Sequence, residues 1–442
     1  MRPYLKPLKR LIQRRFPAFG RNKKQEIIRL VYEICRREDI TPADVLGNMR
    51  GDFGQVKARL IQRRYPLACA ETNTPLAPYL PTLGPDPRKA FRAKGEKRFY
   101  PRRIFVETAV SRCRIAANVR NAFPQAKLSE IKSIREYRKT QRQADIISYN
   151  CRRKTLFLIR RKSGFFRACP CTKGAAGCGY HIFNLAFGCI FECSYCYLQE
   201  YIDTPGIILA ANIDEPLAAF AGYEKSYGRA GKRQFRIGTG EFSDSLMLDE
   251  ITEYSLPIIR FFAKRKNATF EFKTKSQNIA NLLKAEHGGN IIVSWSLNPP
   301  GIIGENEFFT ASLSQRLKAA QRCVRAGYKV GFHFDPIFYF AGWEKEYGRL
   351  TDRLFATVKA KHIAWISLGT LRFRPRLKKI IEARFPQNRI LNEELLIGYD
   401  GKLRYPDKIR RKIYDFMGQK IKSRSRRIFL YLCMERPLYF TF

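Results

Sequence analysis

Cys189, Cys193 and Cys196 stand in the order C-x3-C-x2-C and run directly into Tyr197-Leu198-Gln199. Iron–sulfur clusters are held by Cys thiolates, ordinarily four of them. Three thiolates at this spacing bind three irons of a four-iron (4Fe-4S) cluster and leave the fourth open to an outside ligand. A cluster of that kind does chemistry rather than only carrying electrons. The partner that uses an open iron is S-adenosylmethionine, through its amino and carboxylate groups, and an electron from the cluster cleaves it to a 5'-deoxyadenosyl radical. Two blander readings stand beside this one: core packing, since cysteines are among the most buried residues, and a zinc site. Zinc favours paired C-x2-C units with two further Cys or His ligands at set spacing. Here the second pair is missing, and the chain has 4 histidines.

The elements that would position this loop follow from the rhythm of the chain. From about residue 180, strands are expected at 180–188, 234–240, 268–274, 290–296, 328–334 and 363–368, with helices near 249–263, 276–285, 311–326, 343–360 and 375–384. Alternation of this kind implies βαβ units and a parallel sheet, so the expected fold is α/β, six such units curled into an incomplete barrel. Functional side chains of parallel barrels gather at the C-terminal strand tips. The cysteine loop follows the first strand, and Gly240-Glu241 with Ser243-Asp244 follow the second. Lys273-Thr274-Lys275-Ser276 ends the third, Ser294-Trp295-Ser296 the fourth, His333-Phe334-Asp335 the fifth and Ser367-Leu368-Gly369 the sixth. Taken singly, each is an ordinary loop residue; together they would line a pocket for a polar cofactor. His333 and Asp335 share one strand face by period two, placed for proton transfer or for buried hydrogen bonding. Cys169, Cys171 and Cys178, with His181, offer ligands for a second metal or a structural role.

At 442 residues the chain can bury one large domain plus an appendage, and 45% hydrophobic content argues against disorder. A formal charge of +44 favours polyanionic partners and salt-dependent binding. The 12 cysteines of a chain without an apolar leader read as reduced thiols and metal ligands, which points to the cytoplasm. No apolar run has the length of a membrane span, so no membrane partner is expected. Leu11-Ile12-Gln13-Arg14-Arg15-Phe16-Pro17 recurs as Leu60-Ile61-Gln62-Arg63-Arg64-Tyr65-Pro66, either a small helical module or a coincidence of basic composition. Residues 24–36 carry helical periodicity, and Thr41-Pro42 reads as an N-cap with Pro at the first helical position. Pro75, Pro78, Pro81, Pro85 and Pro87 mark a linker.

The run from Cys189 to Gln199 resembles the radical S-adenosylmethionine enzymes, and among them the spore photoproduct lyase family. Cys169-Pro170 with Cys178-Gly179-Tyr180, Gly331 to Pro336, Ser367 to Phe373 and Tyr431 to Glu435 fit the same resemblance. It covers roughly residues 100–440. It implies an incomplete six-unit radical barrel within 180–400, a family-specific region at 96–179 and a C-terminal extension at 401–442; residues 1–95, read as a basic and mainly helical N-terminal extension with the Pro-rich linker, lie outside it. It also implies cluster ligation by Cys189, Cys193 and Cys196, and cofactor contacts from Tyr197, Ser243, Lys275 and Ser296. The implied function is that of a lyase, in which the radical abstracts hydrogen from a thymine photoproduct in DNA. The implied partners are nucleic acid, DNA before RNA, and an electron donor such as flavodoxin or ferredoxin.

One departure stands out. Aligned on Ser243-Asp244, Glu241 falls where the lyases have their hydrogen-donating cysteine. A carboxyl O–H bond is too strong to serve that purpose, which leaves Tyr195 and Tyr197, whose family counterparts flank this path, as donor candidates. Arg152-Arg153-Lys154, Arg160-Arg161-Lys162 and Lys420 to Arg427 are expected to grip the phosphate backbone. Two alternatives remain: radical modification of RNA or another substrate, and a zinc-containing nucleic-acid-binding protein without catalysis.

Overall fold

The computed structural model describes residues 5–72, 74–84, 86–93, 98–140, 145–172, 174–201, 206–227 and 234–439. Of the residues singled out above, Pro85 lies outside them. The six expected strands form: β1 (Tyr180–Phe183), β2 (Phe235–Gly238), β3 (Ala268–Thr274), β4 (Ile291–Ser296), β5 (Lys329–Ile337) and β6 (Ile363–Thr370), side by side in sequence order within one eight-stranded sheet. Pairing is parallel from β1 through β5. Phe166–Ala168 adds antiparallel to the outer edge of β1, and Leu430–Leu432 adds parallel to β6. Every residue of β4 is buried, as in a parallel strand covered on both faces. The fold is thus mixed α/β with a curled sheet, the core of an incomplete barrel.

Two helical expectations are corrected. Residues 276–285 form only a 3-10 turn, Leu282–Lys284, because the local polar side chains bond elsewhere: Ser276 Oγ accepts from Asn278 N at 2.9 Å, and Asn281 Nδ2 donates to Asp249 O at 2.8 Å. The helix near 249–263 breaks into Asp249–Thr252 and Ser255–Ala263 around Glu253, which is left-handed at φ 54°. Asp249 accepts from Ser255 N and Oγ at the break.

A second sheet runs in the order Lys127–Ile131, Arg103–Glu107, Thr155–Ile159, Ile207–Ala210, Ala186–Phe187. Its first four strands are parallel and the last antiparallel. Ala186–Phe187 lies between β1 and Cys189, so the chain is pinned in this sheet just before the cysteine loop begins.

The chain divides into two compact units, one of 1–91, 336–343 and 370–415, the other of the remainder. In the first, α1 (Leu5–Arg15), α2 (Arg21–Glu38), α3 (Pro42–Leu46) and α4 (Phe53–Arg64) share an apolar core. The repeated segments close α1 and α4 in the same way. Phe16 N donates to Ile12 O at 3.0 Å and Tyr65 N to Ile61 O at 2.8 Å, and all four side chains are buried. The repeat is therefore a folding device. Thr41 caps α3 in a reciprocal box with Asp44, with Pro42 at the first position. Leu76 and Leu80 of the Pro-rich stretch pack on the same core. At its centre Glu33 accepts from Arg29 at 2.6 Å, Lys378 at 2.7 Å and Arg64 at 2.9 Å.

Candidate active site

The cysteine loop is built around a turn that needs glycine. Gly188 has φ 90°, its amide donates to Phe242 O at 2.9 Å, and an added Cβ would stand 3.4 Å from Gly206 O. Arg152, buried, clamps the loop from below. It donates to Glu192 Oε2 at 2.5 Å, Phe191 O at 3.0 Å and Cys189 O at 3.3 Å. Gln199, fully buried, reaches back to Ser194 O at 2.8 Å and Cys196 O at 2.9 Å. Glu192–Cys193 pairs antiparallel with Glu307–Phe308, and Ser194 bonds Asn306 through both main chain and side chain. The basic run at 152–154 is thus corrected: Arg152 holds this loop, Arg153 lies 3.7 Å over the Phe309 ring, and only Lys154 is exposed.

The three thiols suit a cluster. Burial, with the Asp244 carboxylate nearby, pushes the Cys189 thiol up to about 12, opposed by backbone N–H groups of Phe191 and Asp244 aimed at its sulfur. Burial likewise raises Cys193 and Cys196; Cys193 feels Cys196 and Cys189 as like charges, and both Cys193 and Cys196 feel Lys275 as a cation. Such a set is costly as free thiolates and is relieved by iron. Among the described residues no three His, Cys, Asp or Glu side chains stand close enough to share one ion; a cluster spreads its ligands wider than a single ion does.

Lys275, beyond the tip of β3, is the cation of the site. Burial works against its charge, but Cys193 and Glu307 outweigh it and raise its pKa. Asp244 joins the second tip to the third, accepting from Thr274 Oγ1 and Lys275 N, each at 2.7 Å. Ser243 borders a small cavity with Thr239, Asp244 and Ser245. Ser296, buried at the end of β4, offers its carbonyl to Arg316 at 2.8 Å. Tyr195 donates to Glu307, which also accepts from Arg316 at 2.5 Å and Asn298 at 3.0 Å. Burial alone would raise Glu307, yet Arg316, Lys275 and the two neutral donors hold it at about 2. Tyr197 is 39% exposed and donates to the main-chain carbonyl of Glu241, while the Glu241 carboxylate is engaged by Arg167.

Deeper in the barrel, Glu271 of β3 gathers Ser294 at 2.5 Å, His333 Nε2 at 2.8 Å, Arg236 at 2.9 Å and Trp365 at 3.0 Å. His333 Nδ1 faces Ser367 Oγ at 2.6 Å. Burial and the Lys273 charge push His333 down to about 4 despite Glu271. This is the buried-network reading of His333 rather than the proton-transfer one. His181 is corrected as a companion of the nearby cysteines: its Nδ1 lies 2.7 Å from Tyr223 OH, on the outer face of β1. Cys169 and Cys171 are joined by a hydrogen bond between their thiols.

Glu307 and Arg316 were not singled out in the sequence, and the supporting roles of Arg152 and Gln199 were not foreseen. Arg152 was hidden in a basic run; Glu307 and Arg316 lie far from the cysteine motif and carry no spacing signal of their own.

The family model described as spore photoproduct lyase matches residues 99–426. A spore photoproduct lyase of Geobacillus sp. (strain Y412MC61) is 27% identical over 337 residues, covering 74% of this chain and 96% of the relative. One from Bacillus subtilis (strain 168) is 32% identical over 213 residues, 47% of this chain and 61% of that one. A solved variant of spore photoproduct lyase with bound AdoMet and dinucleoside spore photoproduct superposes with a TM-score of 0.64 at 25% identity, over 76% of this chain and 98% of the other. With barrel, cysteine loop and family model in agreement, the chain belongs to the spore photoproduct lyase family of radical S-adenosylmethionine enzymes.

Proposed function

We propose that this chain repairs spore photoproduct in DNA. The observation that carries the reading is the convergence of three thiols, buried Cys193 with half-buried Cys189 and Cys196, and half-buried Lys275 at the strand tips of a barrel of this family. A 4Fe–4S cluster with S-adenosylmethionine supplies the 5'-deoxyadenosyl radical when bound. The three cysteines hold the cluster, and Arg152, Glu192 and Gln199 fix the loop that carries them. Lys275 would meet the methionine carboxylate or ribose oxygens as a charge-assisted donor. Ser243 and Ser296 would serve as short donors to ribose hydroxyls, and Tyr197 would border the nucleoside. Glu307 orients Tyr195. Exposed Lys154, Arg160, Lys162, Arg426 and Arg427 supply phosphate contacts. A lesion inside a duplex must be flipped out to reach the pocket. A low-potential carrier such as flavodoxin or ferredoxin supplies the electron. The test is anaerobic incubation of the iron-loaded chain with S-adenosylmethionine, a strong reductant and DNA carrying spore photoproduct. Restored thymine is expected; 5'-deoxyadenosine without restored thymine would overturn the assignment of substrate.

A further inference from the structure

Glu241 leaves the lyase reading without a hydrogen-atom donor at the family's position, and the strand beside β1 supplies one. Along Phe166–Ala168, side chains alternate between faces. Phe166 stacks on Phe183 at 4.7 Å and on Tyr223 at 5.1 Å, and His181 also bonds Tyr223, so these residues cover the outer face. Arg167 therefore lies on the barrel-facing side, and the alternation, carried one residue past the strand by the Cys169 main-chain bond to Tyr180, puts Cys169 on that side too. Arg167 marks the depth of this face, because its guanidinium meets the Glu241 carboxylate and lies 5.1 Å from the Phe242 ring. The Cys169 amide donates to Tyr180 O at 2.9 Å. Tyr180 stands opposite Cys169 on the same face, and its hydroxyl packs against Gly238, where an added Cβ would come within 2.1 Å of it. Cys169 is close enough to Tyr197 to act on it electrostatically.

We propose that Cys169 donates the hydrogen atom in this chain, in place of the thiol that Glu241 has displaced. The inference rests on the lyase reading. The Cys169 S–H bond breaks homolytically, its hydrogen forms a C–H bond on the substrate carbon radical, and the unpaired electron stays on sulfur. An S–H bond is weak enough to give its hydrogen to carbon, and a carboxyl O–H is not. One electron from the low-potential reductant the reaction already requires, with one proton from water, returns the thiol. Cys171, hydrogen bonded to Cys169, is a positioning residue for it. Tyr195 is the poorer donor, because its hydroxyl is committed to Glu307.

The experiment runs the reaction in D2O with the full chain and with C169A, scoring deuterated thymine per 5'-deoxyadenosine formed in the same tube. The 5'-deoxyadenosine reports a folded, loaded enzyme. C169A is expected to lose the deuterated thymine, and C169A/E241C to regain it, because the second change returns a thiol to the family's position. A C169A ratio equal to wild type would overturn the proposal. A readout free of turnover uses the protein without S-adenosylmethionine: dinucleoside spore photoproduct should protect Cys169 from alkylation, and alkylation at an unchanged rate would count against it. A wild-type chain that makes 5'-deoxyadenosine but no restored thymine would overturn the lyase reading itself, an outcome distinct from a defect confined to C169A.

Discussion

Both compact units bury charge, but they do so in different ways. In the N-terminal unit Glu33 is ringed by Arg29, Arg64 and Lys378, all at 5% exposure or less, and Arg29 continues to Glu382. Each charge there is answered by another side chain. In the barrel, Lys275 and the three thiols of the cysteine loop are buried or half-buried with fewer answers: Lys275 faces Cys193 and Glu307, and Cys193 faces the other two thiols. The first arrangement is closed, and its product is a fold. The second, on the function proposed above, would be completed by iron and a zwitterionic cofactor. Buried charge marks function where the protein leaves it incompletely paired, not merely where it is buried.

The contrast can be tested from both sides. Cys193→Ala should abolish iron binding and cofactor cleavage altogether, with far-ultraviolet circular dichroism unchanged; iron content of anaerobically purified protein is the check, and retained cluster would remove Cys193 from the site. Glu33→Gln leaves buried cations without their anion and should destabilise that unit by about 3–5 kcal/mol in urea titration. A loss below about 1 kcal/mol would mean that the cluster of charges is wetter than its geometry indicates.

His333 gives a pH signature. Its folded-state value of about 4 lies below the ordinary 6.5, so between those values the unfolded chain binds the extra proton. Stability should therefore fall as pH drops from 6.5 to 4, by up to about 3 kcal/mol, and His333→Gln should flatten that slope. Lys275→Met should weaken S-adenosylmethionine binding about 10–100-fold, the loss of one charge-assisted contact, read by equilibrium dialysis on iron-loaded protein. The smallest effect belongs to the surface: Lys154→Ala should lower the slope of log affinity for duplex DNA against log salt by about one, if Lys154 is a phosphate contact.

Much of the barrel was legible because period and punctuation carry it. Ala268–Thr274 formed as expected, and Ile291–Ser296 and Ile363–Thr370 came within two residues. The helix expected at 276–285 did not form, because Ser276, Asn278 and Asn281 find loop partners that apolar periodicity does not register. Arg152 was misread for a related reason, since composition reports charge and says nothing of burial.

By itself the sequence carried three thiols at cluster spacing and six strand tips to surround them, which are properties of residue type and local spacing; its resemblance to the lyases implied the loss of a thiol at Glu241. Only the tertiary structure decided that Arg152 supports the cysteine loop, that Glu307 and Arg316 order its far side, and that Arg167 meets Glu241 while Phe166 and His181 face outward. Such assignments depend on which strand lies beside which, and strand neighbours are set by long-range packing that local sequence does not encode.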